Sequence, residues 1–144
     1  TALLAAPYLD VNTAHGGGWT VLMKAAHGGH AETVTALLAA PGLDVNAANA
    51  HGYIYGQSPP PSQTALMRAV DGGHAEVVTA LLAAPYLDVN TAHGGGWTVL
   101  MKAAHGGHAE TVTALLAAPG LDVNAAADDG DTALMLAAQG RHTE

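Results

Sequence analysis

Cysteine and phenylalanine are absent from this chain, and isoleucine occurs once, at Ile54. Without cysteine there are no disulfides and no thiolate-bound zinc, and cysteine usage gives no reading of the redox compartment. Cations are nearly as scarce. Lys24, Arg68, Lys102 and Arg141 face 12 acidic residues, for a formal net charge of −8. A nucleic-acid partner is held by cations that neutralise phosphates, so this balance argues against one. An anionic membrane surface would repel the chain, and no apolar run approaches the ~18–20 residues of a membrane span. Serine is confined to Ser58 and Ser62, with no G-x-S-x-G, no cysteine nucleophile and no phosphate-cradling glycine loop. The expectation is a chain with no catalytic residues, no metal and no cofactor. No secretory leader is recognisable, and residue 1 is Thr1, which reads as a processed chain or a piece of a longer one.

The sequence is rich in alanine, with 18 glycines in 144 residues. Small residues in this proportion suit short helices packed backbone-close. The order of residues is repetitive. Residues 1–48 recur letter for letter as residues 79–126. A shorter period runs along the chain: T-x-L-M starts at Thr20, Thr64, Thr98 and Thr132, and L-L-A-A-P at Leu3, Leu37, Leu81 and Leu115. The unit is 34 residues long, interrupted once by an insertion over 53–63. The organisation is a single array: a partial repeat 1–14, repeats 15–48, 49–92 and 93–126, and a partial repeat 127–144.

Each unit reads as helix, turn, helix and hairpin. Thr20 is a good N-cap, because its hydroxyl can accept an orphan N–H of the first turn. Leu22, Ala25 and Ala26 then share one face. Gly28-Gly29 supplies a left-handed helix end. The second helix, about 31–40, places Ala31, Val34, Leu37 and Leu38 on one face, and Pro41 stops it. The segment 43–46 is expected to be extended, leading to a glycine-rich turn.

The runs G-W-T-V-L-M-K-A-A, G-H-A-E-T-V and A-L-L-A-A-P-G-L-D-V-N follow one another in the order of the ankyrin-repeat pattern, which the chain resembles over all but its insertion. The resemblance implies a mainly α, ankyrin-repeat solenoid of antiparallel helix pairs with short β-hairpin loops. The chain departs from the pattern at definite places. The family proline after the capping threonine is Val21, Ala65, Val99 and Ala133, and the family histidine is Met23, Met67, Met101 and Met135. Apolar packing is expected to replace the polar tie that this histidine makes. The loop A-A-P-G-L-D is one residue longer than usual, which accounts for 34 rather than 33.

Polar residues that recur have structural readings first. His30, His74, His108 and His142 stand at the G-H-x-E position, where the resemblance implies backbone bonding between repeats. The pairs His27/His30 and His105/His108 lack the third ligand that zinc requires. His15, His51 and His93 fall at hairpin turns. Asp10, Asp44, Asp88 and Asp122, each followed two residues on by Asn12, Asn46, Asn90 or Asn124, form a ladder of turn residues expected to bond local backbone. Asp128-Asp129-Gly130-Asp131 reads as an ordinary turn, since a calcium loop needs more ligands and a bidentate glutamate.

Candidate contact residues are Trp19 and Trp97, expected over the hairpin base, and the insertion residues Tyr53, Ile54, Tyr55, Pro59, Pro60 and Pro61. The proline run favours a polyproline II segment. Ser58 and Ser62 beside it suit O-linked sugar in an extracellular setting, on composition alone. No polar caps are visible, so Leu3 and Leu4 at one end, and His142 and Glu144 at the other, are candidate self-association residues. Four repeat intervals total 146 residues against 144 present, which makes the two ends nearly complementary halves of one unit. Two functions follow. One is a non-enzymatic building block of an extended fibre, a head-to-tail homopolymer with itself as partner. The other is a protein–protein interaction module, natural or consensus-designed, that binds another protein on its hairpin and inner-helix face. A fibre suits an extracellular location and an interaction module a cytoplasmic one.

Overall fold

The computed structural model describes residues 11–14, 18–49, 63–92 and 96–139. The elements run α1 (Val21–His27), α2 (Ala31–Leu38), β1 (Ala48–Asn49), β2 (Gln63–Thr64), α3 (Ala65–Asp71), α4 (Ala75–Leu82), α5 (Val99–Gly106), α6 (Ala109–Leu116) and α7 (Ala133–Gln139). Helices of seven or eight residues are too short to persist alone in water, so packing has to hold them. It does so in two layers. The first helices pack in the series α1–α3–α5–α7, the second helices as α2–α4–α6, and each pair closes a unit. Among the described residues, no helix is long and apolar enough to cross a membrane.

The local signals act as the sequence suggests at the first helices. The hydroxyls of Thr20, Thr64, Thr98 and Thr132 accept the backbone N–H three residues on, at 3.2 to 3.4 Å. Leu22, Ala25 and Ala26 are buried, as are Met23, Met67 and Met101. These methionines pack in the core, and in the third unit Met101 Sδ also accepts the Thr98 N–H at 3.4 Å. At the helix end the left-handed residue is the second glycine of each pair (Gly29, Gly73, Gly107), while Gly28 keeps a right-handed φ of −80°. His30 N–H then reaches Ala25 O at 3.0 Å and Gly29 N–H reaches Ala26 O at 3.2 Å, the two bonds of a Schellman motif.

Two expectations need correction. The second helix ends at Leu38, short of residue 40, because Ala39 and Ala40 tighten into three-residue bonds to Ala36 O and Leu37 O before Pro41 is reached. The segment 43–46 is not extended throughout. It turns at Val45-Asn46, where Asp44 Oδ1 accepts the Asn46 N–H at 3.1 Å.

The aspartates therefore bond locally, as expected, but the asparagines do not. Asn46 Nδ2 donates to Tyr86 O at 2.7 Å, and its Oδ1 accepts the Asp88 N–H at 2.8 Å, 40 and 42 residues away. Asn12 makes the same pair of bonds to Gly42 O and Asp44 N–H, and Asn90 to Gly120 O and Asp122 N–H. Each side chain thus stitches its own loop to the loop of the following unit.

That loop contains the one described non-glycine residue with positive φ. Tyr86 sits at φ 66°, where the equivalent Gly42 and Gly120 sit at 77° and 78°. Its side chain is 93 % exposed, so no packing offsets the left-handed strain. Tyr86→Gly is expected to stabilise the chain by about 1 kcal/mol, read as a raised urea midpoint at unchanged slope. A similar argument applies between α4 and α6. Val77 is fully buried at a place where the next unit has Thr111, also buried. Burying a hydroxyl where a methyl fits costs about 1 kcal/mol, so Thr111→Val is expected to raise the melting temperature by several degrees.

Candidate functional site

The open side of the first-helix layer is built from three rows of equivalent positions. The residue before each capping threonine is Trp19, Gln63, Trp97 and Asp131. Four residues after each threonine stand Lys24, Arg68, Lys102 and the buried Leu136. Seven residues after it stand His27, Asp71, His105 and Gln139, all exposed. Helical spacing places the second and third rows on one face of each helix, turned away from the partner helix of the same unit.

The rows are linked across repeats. The Arg68 guanidinium carbon lies 4.1 Å from the centroid of the Trp19 ring, a cation–π stack from one unit onto the preceding one. Lys102 Nζ donates to Asp71 Oδ1 at 2.9 Å across the next step. Trp19 and His27 meet edge to face at 5.4 Å, and Trp97 and His105 repeat the contact at 5.3 Å. In the last unit Gln139 Nε2 donates to Asp131 Oδ2 at 3.2 Å in their place. Burial lowers the Arg68 pKa from its ordinary value, and Asp71 beside it acts the opposite way. Arginine remains charged at any physiological pH regardless. Among the described residues, Arg68 Nε and Gln63 Oε1 are buried polar atoms with no hydrogen-bond partner.

Trp19 and Trp97 therefore lie at the hairpin base, half-buried against the core, as the sequence suggests. The hairpin that carries the insertion is present as an antiparallel pair, Ala48 opposite Thr64 and Asn49 opposite Gln63. The insertion residues Tyr53, Ile54, Tyr55, Pro59, Pro60 and Pro61 lie outside the described residues, as do Leu3, Leu4, His142, Glu144, Asp10, His15, His51 and His93. Gln63, Lys24, Arg68, Asp71 and Lys102 were not legible as one surface from residue types alone. Comparing the units position by position could have found them.

The remaining polar positions are structural. His74 Nε2 lies 3.0 Å from His27 O, and since a carbonyl only accepts, the ring nitrogen donates. The ring fills the space above Gly72 and Gly29, where an added Cβ would meet it at 2.5 and 2.7 Å. His108 covers Gly106 and Gly73 in the same manner. Among the described residues, no three His, Cys, Asp or Glu side chains converge as a metal site requires. Asp129 Oδ1 accepts the Asp131 N–H at 3.0 Å and Gly130 adopts φ 89°, an ordinary turn closed by the Ala126–Thr132 bridge.

At the last unit the apolar positions come to the surface. In the last helix Leu134 is 81 % exposed and Met135 is exposed, and in the unit before it Leu116 and Val123 are exposed as well. The counterparts of Leu134, Met135 and Val123, such as Leu66, Met67 and Val45, are buried, and those of Leu116, Leu38 and Leu82, are half-buried.

No curated protein matches the chain. The family model for ankyrin repeats (three copies) matches residues 2–93 and 66–144, the two matches together spanning nearly all of it. With its paired helices, hairpins and stacked units, the chain belongs to the ankyrin-repeat family.

Proposed function

We propose that the chain is a non-enzymatic protein–protein interaction module whose partner lies on the hairpin and inner-helix face. Ankyrin repeats are in general protein-binding modules. The observation that carries the reading for this chain is where its units differ. The second helices α2, α4 and α6 are the same except for Thr33, Val77 and Thr111. The first helices and hairpin bases differ at Trp19/Gln63, Val21/Ala65, Lys24/Arg68, Ala26/Val70 and His27/Asp71, and the insertion joins the same hairpin. Packing needs one recipe repeated. A binding face for an irregular partner needs variation, and within the helices and hairpin bases the surface differences Trp19/Gln63, Lys24/Arg68 and His27/Asp71 gather on one side, whereas Ala26/Val70 is a change in the core.

Peptides selected against the intact chain from an unbiased displayed library test this. Trp19→Ala and Trp97→Ala are expected to weaken most of them by about tenfold or more, as aromatic anchors do. Exposed changes on the outer layer, such as Glu32→Gln and Glu110→Gln, are expected to leave binding unchanged. The reverse pattern would sink the proposal.

A second reading, end-to-end stacking into a filament, is supported by the exposed Leu116, Val123, Leu134 and Met135. Their counterparts in the earlier units are buried or half-buried, so another copy of the unit is the surface that fits them. Sedimentation at increasing protein concentration tests it. Growth into long polymers abolished by Leu134→Glu supports stacking, and a monomer at all concentrations excludes it.

A further inference from the structure

The first helices α1, α3 and α5 carry a charge opposite to that of the whole chain. Every lysine and arginine among the described residues stands in one row: Lys24, Arg68 and Lys102. The described acids lie mostly elsewhere. Glu32, Glu76 and Glu110 are on the second helices, Asp44, Asp88 and Asp122 on the loops, and Asp128, Asp129 and Asp131 on the last hairpin. Asp71 alone joins the cationic row, between Arg68 and Lys102. Two net positive charges thus remain on the first helices α1, α3 and α5 of a chain whose overall charge is −8, with Asp131 in the hairpin-base row of the last unit.

We infer that the partner bound there is an acidic segment in polyproline II conformation, with carboxylates at every third residue. The inference rests on the proposed use of this face for binding. Equivalent side chains on packed helices are separated by ~10 Å. A polyproline II segment has three residues per turn and rises ~3.1 Å per residue, so every third side chain lies on one face and meets the next rung. Three carboxylates at that spacing face Lys24, Arg68 and Lys102 in turn. Arg68 is the rung with most to gain. Its Nε is buried without an acceptor, and a carboxylate can take a guanidinium in two parallel bonds once the side chain turns toward it. Trp19 and Trp97 stand at either end of the strip as flat apolar supports for the residues between.

The test measures fluorescence anisotropy of a labelled, otherwise uncharged peptide with glutamate at every third residue, titrated with the full chain. Two controls have glutamine in place of glutamate, or the same glutamates placed consecutively. The spaced peptide is expected to bind at least about tenfold more tightly than either control, and to weaken as salt is raised. Arg68→Gln and the more exposed Lys24→Gln are each expected to lose about fivefold or more, with unchanged far-ultraviolet circular dichroism. Equal binding of the glutamine peptide overturns the inference, as does insensitivity to both substitutions in folded protein. If the chain instead dimerises through this face, with the dimer lost on Lys24→Gln, the occupant is a second copy and the inference is also overturned. Library peptides that depend on Trp19 and Trp97 while the acidic peptide fails would leave the interaction module standing and remove only its acidic partner.

Discussion

Leu66→Ala is expected to lower the unfolding free energy by about 3 kcal/mol, while Leu134→Ala at the same place in the last unit is expected to change it by less than about 0.5 kcal/mol. The two leucines have the same neighbours in sequence and the same threonine cap two residues before them. They differ in what covers them. Leu66 is 1 % exposed, under α4 of its own unit and within the α1–α3–α5 stack, so truncation removes its transfer energy and leaves a cavity. Leu134 has no such cover. Urea titration followed by circular dichroism measures both. Equal losses would mean that the stability of a unit is set within its first helix and not by packing between layers. If a second copy covers Leu134, its effect grows with protein concentration, which separates stacking from burial within one chain.

Asn46→Ala is expected to cost about 1.5 kcal/mol, and Asn124→Ala almost nothing. Asn46 holds Tyr86 O and the Asp88 N–H of the following loop, both at hydrogen-bond distance. Asn124 is exposed at the last step of the ladder. Because a solenoid's stability is roughly a sum of units and nearest-neighbour interfaces, the loss should fall on the junction between the α1–α2 unit and the α3–α4 unit. Hydrogen exchange reads that location directly. Faster exchange at 31–46 and 75–88 in the Asn46→Ala chain is the expected result, whereas uniform acceleration across all units would contradict a local stitch.

Much of the fold is legible from residues close together in the chain. A threonine cap before an apolar helix, a glycine pair after it and a proline beyond the second helix are local signals, and each acts within about five residues of itself. Met23, Met67 and Met101 in the core follow from their place beside the leucines. What escapes such a reading depends on stacking. Nothing near Asn46 indicates that its amide will reach Tyr86 rather than its own turn, because the acceptor arrives only when the next unit docks. The same holds for Arg68 over Trp19 and for Lys102 on Asp71, contacts that join successive units. The strain at Tyr86 is legible only by comparison, since Gly42 and Gly120 hold the same place in other units. The candidate binding face has the same character. No single residue announces it, and differences between otherwise repeated units outline it.

The most direct test of that face is a hydrogen-exchange footprint of the intact chain with and without a peptide selected from an unbiased library. Protection confined to 19–27, 63–71 and 97–105, with 31–38, 75–82 and 109–116 unchanged, is the expected result. Protection on the second helices instead, with the first helices and hairpin bases unchanged, would contradict it.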